Sequence, residues 1–240
     1  MKLISLQLKT TSDFNINLNT LIDKIKGISS DNYTIILAPE LYLTGYSYNR
    51  LLEASQFTLK TIPILRKLSK NKTIAITMTT KDGDKFLNTL YIFHKGDIIH
   101  TQSKHQLFVL NDEKKYFTSG KLDDIKIINI DGVKIATLIC FELRFVELWQ
   151  RVQGADIILV PAMWGVKRKE NYETLTQSLA VINQCFVVAS DSANDDMAKS
   201  SGIITPFGDQ YRDDNLEVLE KEINVKEIKK MRRYLNIGIK

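Results

Sequence analysis

The sequence has few of the residues that hold disulfide-rich or fibrous proteins together. Its 240 residues include 2 cysteines, 4 prolines and 11 glycines. Cys140 and Cys185 are too few for a disulfide framework, which indicates free thiols in a reducing compartment. Glycine and proline together are too scarce for a collagenous or low-complexity chain. We therefore expect a globular cytoplasmic protein.

Long hydrophobic runs are also missing. No apolar stretch approaches the roughly 20 residues needed to cross a bilayer. The first residues, MKLISLQLK, are interrupted by Gln7 and Lys9, so they lack the continuous apolar segment of a signal peptide. The three histidines, His94, His100 and His105, do not have the spacing of a metal site. The sequence predicts no membrane association and no metal or organic cofactor.

The charge is mildly positive. Lysine and arginine exceed aspartate and glutamate by 33 − 28 = +5, but the lysines are scattered and do not alternate with aromatic residues as in single-strand binders. This pattern favours solubility over nucleic-acid binding. A hydrophobic fraction of 44% in a chain of this length is enough for one large core. We therefore expect one domain over residues 1–240.

Short β-like runs alternate with helical stretches along the chain, which predicts sheets covered by helices in an α/β layered domain. Asp131 and Gly132 form the clearest hairpin turn, Pro63 suggests that the second helix is kinked or in two pieces, and residues 106–120 are expected to form a loop. Strands are predicted at residues 2–9, 33–38, 73–79, 86–94, 97–103, 126–130, 133–139, 156–161, 186–190, 202–205 and 217–223, and helices at 17–28, 51–70, 140–153, 169–184 and 225–235.

Three candidate functional residues follow predicted strands. Glu40, Lys104 and Cys140 each lie just beyond a strand's carboxyl end, where α/β proteins gather their sites. Cys140 also begins a helical stretch, so we expect the helix dipole to favour its thiolate. Taken singly, each residue is more often a core thiol or a solvated charge. Their shared position favours a common site.

The segments around these residues resemble the motifs of the carbon–nitrogen hydrolase (nitrilase) superfamily. Residues 37–46 (LAPELYLTGY) are similar to its glutamate motif, residues 103–108 (SKHQLF) to its lysine motif, and residues 133–145 (VKIATLICFELRF) to its cysteine motif. Residues 113–120 match a further pattern that supplies a second carboxylate, Glu113. Later landmarks at residues 159–164, 180–184 and 230–235 follow in the same order, so the resemblance covers nearly the whole chain.

The resemblance implies an α-β-β-α sandwich that forms a homodimer or higher homo-oligomer. It also implies a role for each reacting group. Cys140 would attack the carbonyl carbon, Glu40 would act as general base and acid, and Lys104 would stabilise the oxyanion together with the backbone N–H of Phe141. Glu113 would hold Lys104 charged and help to orient a small-molecule amide.

Two positions depart from the family pattern, and substrate recognition is less defined. Gln106 replaces a histidine of the lysine motif, and Val146 replaces a proline after the cysteine motif. Met163 and Trp164 are candidate pocket residues, although Trp164 is as readily explained by packing. Arg144 is a candidate for attracting a substrate carboxylate, as in ω-amidase-like members, or for pairing with an acidic neighbour such as Glu147.

The leading hypothesis is a cysteine-dependent amidase for a small linear amide, one candidate being a dicarboxylate monoamide. A nitrilase or an N-carbamoyl amine hydrolase would use the same Glu40, Lys104 and Cys140. A different class, a non-catalytic binding protein with this fold, is disfavoured because all four reacting groups, Glu113 included, are intact.

Overall fold

The computed structural model describes residues 1–29 and 33–239, and in them it places the strands in two sheets. The strands are β1 (Lys2–Leu6), β2 (Thr34–Leu37), β3 (Thr73–Asp82), β4 (Lys85–His94), β5 (Asp97–Ser103), β6 (Ile128–Ile130), β7 (Val133–Thr137), β8 (Ile157–Pro161), β9 (Phe186–Ser190), β10 (Gly202–Ile204), β11 (Gln210–Arg212) and β12 (Val218–Glu222). The first sheet has the order β12-β1-β2-β3-β4-β5, and the second has the order β11-β10-β9-β8-β7-β6.

Helices cover the outer face of each sheet. They are α1 (Phe14–Gly27), α2 (Leu51–Leu68), α3 (Glu113–Tyr116), α4 (Val146–Arg151), α5 (Lys169–Asn183) and α6 (Lys226–Tyr234). Leu21 and Ile25 of α1 pack with Ile36 of β2, whereas Leu179 of α5 packs in the cluster that contains Phe186 of β9. The expected α-β-β-α sandwich is confirmed.

Side-chain alternation in β2 explains how the layers meet. Ile36 belongs to the cluster under α1 and α2, while Ile35 and Leu37 belong to the cluster shared with the second sheet. All three are fully buried, as expected for a strand covered on both faces. The Ser5 hydroxyl also donates to the Ala189 carbonyl at 2.6 Å, which joins β1 to β9 across the interface between the sheets.

The parallel strands bring several loops to one edge of the sandwich. β1, β2 and β3 run parallel in the first sheet, as do β7, β8 and β9 in the second. Beyond their carboxyl ends the sheets are linked, because the Glu40 N–H donates to the Ala162 carbonyl at 3.1 Å. Loops at this edge therefore come from both halves of the chain.

The local predictions are mostly confirmed, with four corrections. The Asp131–Gly132 hairpin is confirmed, and both residues have positive φ, 50° and 87°, as a type I′ turn requires. The two-piece alternative for the second helix is wrong: α2 is one helix of 18 residues that includes Pro63. A buried face that includes Ala54 and Leu65 packs this helix on the molecule, which outweighs the local cost of proline.

The other corrections concern short elements. The expected helix at residues 140–153 is divided at Phe145 into a 3₁₀ helix, Cys140–Arg144, and α4. The expected loop at residues 106–120 contains α3. Strand β11 was missed because its three residues are mostly exposed and show no apolar pattern. In residues 1–29 and 33–239, no helix has the length and apolar composition needed to cross a bilayer.

Candidate active site

Glu40 lies in the turn that follows β2, and its side chain is fully buried. One carboxylate oxygen, Oε1, accepts hydrogen bonds from Tyr46 Oη at 2.7 Å, Asn88 Nδ2 at 2.8 Å and Lys104 Nζ at 2.8 Å. The other oxygen, Oε2, is buried and accepts no hydrogen bond from a nitrogen or oxygen donor of the described residues. The carboxylate is thus fixed through Oε1, which leaves Oε2 available for proton transfer.

Lys104 follows β5 and is fully buried between two carboxylates. Its Nζ lies 2.8 Å from Glu40 Oε1 and 3.0 and 2.9 Å from the two oxygens of Glu113. Burial lowers the pKa of Lys104, but the charges of Glu40, Cys140 and Glu113 outweigh burial and raise the pKa above its usual range. Lys104 is therefore a charged ammonium. The two carboxylates are buried away from water, and they need this positive charge as a partner.

Glu113 begins α3 and is buried against Lys104. Its Oε2 also accepts a hydrogen bond from the backbone N–H of Phe108 at 2.6 Å, which fixes the first residues of the 106–120 segment to Glu113. Burial raises the pKa of Glu113, and the Lys104 charge opposes that rise. Glu40 and Glu113 therefore share one cation, the Lys104 ammonium.

Cys140 occupies the turn between β7 and the 3₁₀ helix. Its φ of 52° lies in the left-handed region, which a residue with a Cβ adopts at a cost. Burial raises the pKa of the Cys140 thiol well above its usual range, and the Glu40 charge and a hydrogen bond with Glu40 raise it further, while Lys104 opposes them. The sequence led us to expect that the helix dipole favours the thiolate. Burial and the Glu40 carboxylate act in the opposite direction on the pKa of the thiol, and only a five-residue 3₁₀ helix begins at Cys140.

A third buried carboxylate, Glu142, ties the lysine loop to the cysteine turn. Its Oε1 accepts the His105 N–H at 2.7 Å, and its Oε2 accepts the Ile139 N–H at 2.7 Å. The backbone N–H of Gln106 also contacts it. Burial raises the pKa of Glu142 to about 7, against the lowering effect of these three N–H groups. The residues before Cys140 and after Lys104 are thereby held at a fixed separation.

Cys140 opens into a narrow cleft that contains all four expected substrate-contacting residues. The cleft is lined by Phe108, Cys140, Phe141, Arg144, Met163, Trp164 and Arg168. It adjoins a wider cavity of about 320 Å³ that also reaches Cys140 and is lined by Tyr46, Met163 and Arg168 among others. Larger surface clefts lie around α6, and none of the residues that line them is a cysteine.

Trp164 forms a fixed wall of this cleft. Its side chain is buried, and its backbone N–H donates to Asp191 Oδ1 at 2.8 Å. Its carbonyl accepts the Ala198 N–H at 2.6 Å. The sequence left two roles open for Trp164, packing and lining the pocket. The side chain does both, because it belongs to the hydrophobic core and also lines the cleft.

Arg144 also lines the cleft and is exposed. Its guanidinium lies 4.8 Å from the centre of the Trp164 ring, and it donates to Asn171 Oδ1 at 2.9 Å. The alternative partner considered from the sequence was Glu147, whereas the hydrogen bond goes to Asn171. Arg144 remains a cleft residue.

Four residues that complete the site were not singled out from the sequence. Tyr46 appeared only as the last residue of the glutamate motif, and Asn88, Glu142 and Arg168 were not considered. Asn88 lies within β4 and Arg168 just before α5, and neither belongs to a segment that resembles a family motif. The signal available in the sequence for Asn88 was a polar residue inside a predicted strand that is otherwise mostly apolar. In residues 1–29 and 33–239, no group of three or more His, Cys, Asp or Glu side chains is arranged to hold a metal ion.

Comparison with known proteins identifies the family. The model of the family described as carbon-nitrogen hydrolase matches residues 3–233. A 2-oxoglutaramate amidase of Bacillus subtilis (strain 168) is 30% identical over 222 residues, which cover 87% of this chain and 85% of the relative. The omega-amidase YafV of Escherichia coli (strain K12) is 24% identical over 204 residues, covering 80% and 76%. The chain belongs to the carbon–nitrogen hydrolase family, and it is a hydrolase that acts on carbon–nitrogen bonds.

A solved structure agrees with the fold. Saccharomyces cerevisiae Nit3, a member of branch 10 of the nitrilase superfamily, superposes with a TM-score of 0.86 at 22% sequence identity. The match covers 99% of this chain and 95% of that chain. At this identity the likeness establishes the nitrilase-type fold.

Proposed function

We propose that the protein hydrolyses a small linear amide through a thioester on Cys140 and releases ammonia and a carboxylate. The observation that carries the proposal is the division of labour within Glu40. Oε1 accepts three hydrogen bonds, whereas Oε2 accepts none from a nitrogen or oxygen donor in the described part of the chain, and Glu40 raises the pKa of the Cys140 thiol through its charge and a hydrogen bond. This arrangement suits a fixed general base beside a nucleophile.

In the first half of the reaction, Glu40 Oε2 takes the thiol proton as Cys140 Sγ attacks the amide carbon. The carbon–sulfur bond forms in this attack and gives a tetrahedral intermediate. The thioester results when that intermediate breaks its carbon–nitrogen bond. Glu40 returns the proton to the departing nitrogen, so that ammonia leaves and no amide anion is formed. Forming the thiolate only during attack agrees with the raised pKa of the resting thiol.

The oxyanion is stabilised by the Lys104 ammonium and by the backbone N–H of Phe141. Each preorganised donor of this kind typically contributes about 3 kcal/mol to transition-state stabilisation. Lys104 is already fixed by Glu40 and Glu113, so its position costs little reorganisation during the reaction. Glu113 holds that ammonium in place and keeps it charged.

In the second half, Glu40 removes a proton from water, which attacks the thioester carbon. The carbon–sulfur bond breaks, Cys140 regains its proton, and a carboxylate leaves. The sum is one amide and one water converted to one carboxylate and one ammonium ion. The relative named 2-oxoglutaramate amidase supports a small amide as the substrate. The cavity beside Cys140, of about 320 Å³, lies in the volume range of small-molecule sites.

The test is ammonia release from a panel of small amides. We expect the wild-type protein to release ammonia and Cys140→Ala to release none, while Cys140→Ser, which retains a weaker nucleophile, slows turnover or traps substrate. Cys185→Ala is the matched control because Cys185 is buried beside β9, away from the cleft, and it should retain activity. Mass spectrometry of acid-quenched protein should detect the acyl adduct.

Other outcomes would overturn the proposal. Wild-type rates in Cys140→Ala would exclude the thioester mechanism. If the folded wild-type protein releases no ammonia from any amide but cleaves a matched nitrile or carbamoyl compound, the substrate class is wrong. No turnover of any of them would favour a non-catalytic binding protein.

A further inference from the structure

Two guanidinium groups line the cleft beside Cys140, and they differ in their partners. Arg144 is exposed and is engaged by Asn171 and by the Trp164 ring. Arg168 is half-buried, and its guanidinium makes no hydrogen bond or ion pair with another residue in the part of the chain that the structure describes. An unpaired guanidinium that is partly removed from water is costly unless a ligand satisfies it.

Arg168 is placed to meet a substrate bound at Cys140. It lines both the narrow cleft and the wider cavity, and each of them also reaches Cys140, whereas Arg144 lines only the narrow cleft. The Arg168 guanidinium lies 5.2 Å from the centre of the Phe108 ring. The aromatic face orients the guanidinium and leaves its N–H groups free at the edge, where they can donate to an anion.

Gly165 and Asp196 line the wider cavity together with Arg168. A Cβ built on Gly165 would lie 3.4 Å from Arg168 Nη2, so the backbone of Gly165 is close to the guanidinium. One acidic residue, the exposed Asp196, also lines the wider cavity, but it forms no ion pair with Arg168. The positive charge is therefore available to a ligand.

We propose that Arg168 binds the carboxylate of a substrate that carries its amide at the opposite end. This inference rests on the proposed amidase function and assigns its substrate specificity to a particular side chain. Arg168 forms a forked, charge-assisted pair with the carboxylate, and Cys140 attacks the amide carbon at the other end of the same short chain. Phe108 and Met163, which line the cleft, contact the methylene groups between them.

The test compares two amides of matched length. Succinamate has a terminal carboxylate, whereas butyramide has a methyl group in its place. We expect wild-type kcat/KM to be much higher for succinamate. Arg168→Gln should lower kcat/KM for succinamate by roughly 10–150-fold, mainly through KM, because charge-assisted hydrogen bonds typically contribute this much. It should change butyramide hydrolysis by less than about twofold.

Two further variants keep the result interpretable. Lys167→Gln removes the same charge from the neighbouring exposed side chain, which does not line the cleft, and it should behave as the wild type. Arg168→Lys keeps the charge and loses the fork, so it should restore part of the succinamate rate. If Arg168→Gln folds poorly, this variant and inhibition of the wild type by succinate, compared with butyrate, still test the pairing.

The outcomes separate the two levels of the proposal. If the wild type hydrolyses both amides equally well, or if Arg168→Gln slows both by the same factor, Arg168 does not read a carboxylate although the amidase function stands. If Arg144→Gln produces the whole effect and Arg168→Gln none, the assignment is overturned in favour of Arg144. If the folded wild type hydrolyses no amide, the proposed function fails and this inference fails with it.

Discussion

The inner and outer parts of the site are built differently. In the inner part, Glu40, Lys104 and Glu113 are fully buried, and the ammonium contacts both carboxylates within 3.0 Å. In the outer part, Arg144 is exposed, Arg168 is half-buried, and both guanidinium groups lie against aromatic rings. Fully buried charges need fixed partners, whereas a guanidinium that water still reaches can lie against a ring until a ligand arrives.

This difference separates chemistry from recognition. Removing a member of the inner cluster leaves a buried charge without its partner, so the catalytic residues tolerate little change. Changing an outer guanidinium leaves no uncompensated buried charge. We therefore expect substitutions in the outer part to alter substrate preference while substitutions in the inner part alter turnover.

The largest effect is expected for Glu40→Gln. Glutamine keeps an oxygen for the Tyr46, Asn88 and Lys104 donors but cannot accept the thiol proton. Turnover should fall by roughly 10²–10⁴-fold, the usual contribution of a general base. Because the Glu40 charge no longer raises the pKa of the Cys140 thiol, the thiolate should form at lower pH than in the wild type, as measured by ultraviolet absorbance.

The matching control for Glu40→Gln is the double variant with Cys140→Ala. Cys185 is the other thiol, and burial raises its pKa above the usual range, so the new absorbance should disappear when Cys140 is removed. A Glu40→Gln protein that titrates as the wild type does would show that Glu40 does not act on the thiol. Retained turnover would assign the base to another residue.

A smaller effect is expected for Glu142→Gln, which tests whether the inner part depends on its connection between loops. In the wild type, the two carboxylate oxygens of Glu142 accept hydrogen bonds from the N–H groups of His105 and Ile139. Glutamine has only one oxygen that can accept them. We expect a loss of about 1–3 kcal/mol in the free energy of unfolding, the usual cost of an unsatisfied buried donor. Chemical denaturation measures this loss, and the exposed Glu147→Gln should be close to neutral.

The same variant has a defined pH dependence. The pKa of Glu142 is raised from 4.5 to about 7 in the folded protein, so the folded state holds this proton more tightly than the unfolded chain. The stabilisation is complete below about pH 4.5 and is lost as the pH rises toward about 7. Glu142→Gln should flatten this part of the stability curve. An unchanged curve would assign the decline to other buried carboxyls.

The smallest effect is expected for Arg144→Gln. Its guanidinium is exposed and is shared between Asn171 and Trp164, so we expect kcat/KM for succinamate to fall by roughly 2–10-fold, as for an ordinary hydrogen bond. Arg233→Gln, which removes an exposed arginine of α6, controls for the change in net charge. A larger loss than that of Arg168→Gln would reverse the comparison between the two outer arginines.

Motif and strand positions were enough to identify three candidate residues that the structure brings together or to one edge of the sheets. Glu40, Lys104 and Cys140 each follow a strand, and parallel strands bring such positions to one edge. Glu142 and Arg168 were missed because their roles depend on loops that meet only in the folded chain. The effect of burial on the Cys140 thiol was missed for a related reason. The position of Cys140 before a helical stretch can be read from the sequence, but its burial beside Glu40 cannot.

The alternation of strands and helices, the nitrilase-like motifs and the candidate reacting groups can be read from the sequence. They follow from local patterns of apolar residues and from residue types at short spacing. Three properties are visible only in the folded chain, within the residues that the structure describes. Glu40 Oε2 accepts no hydrogen bond from a nitrogen or oxygen donor, Lys104 lies between two carboxylates, and Arg168 lines the cleft without a hydrogen-bond or ion-pair partner. These properties arise from contacts between residues far apart in sequence, whose burial and charge fix their protonation and their availability to substrate.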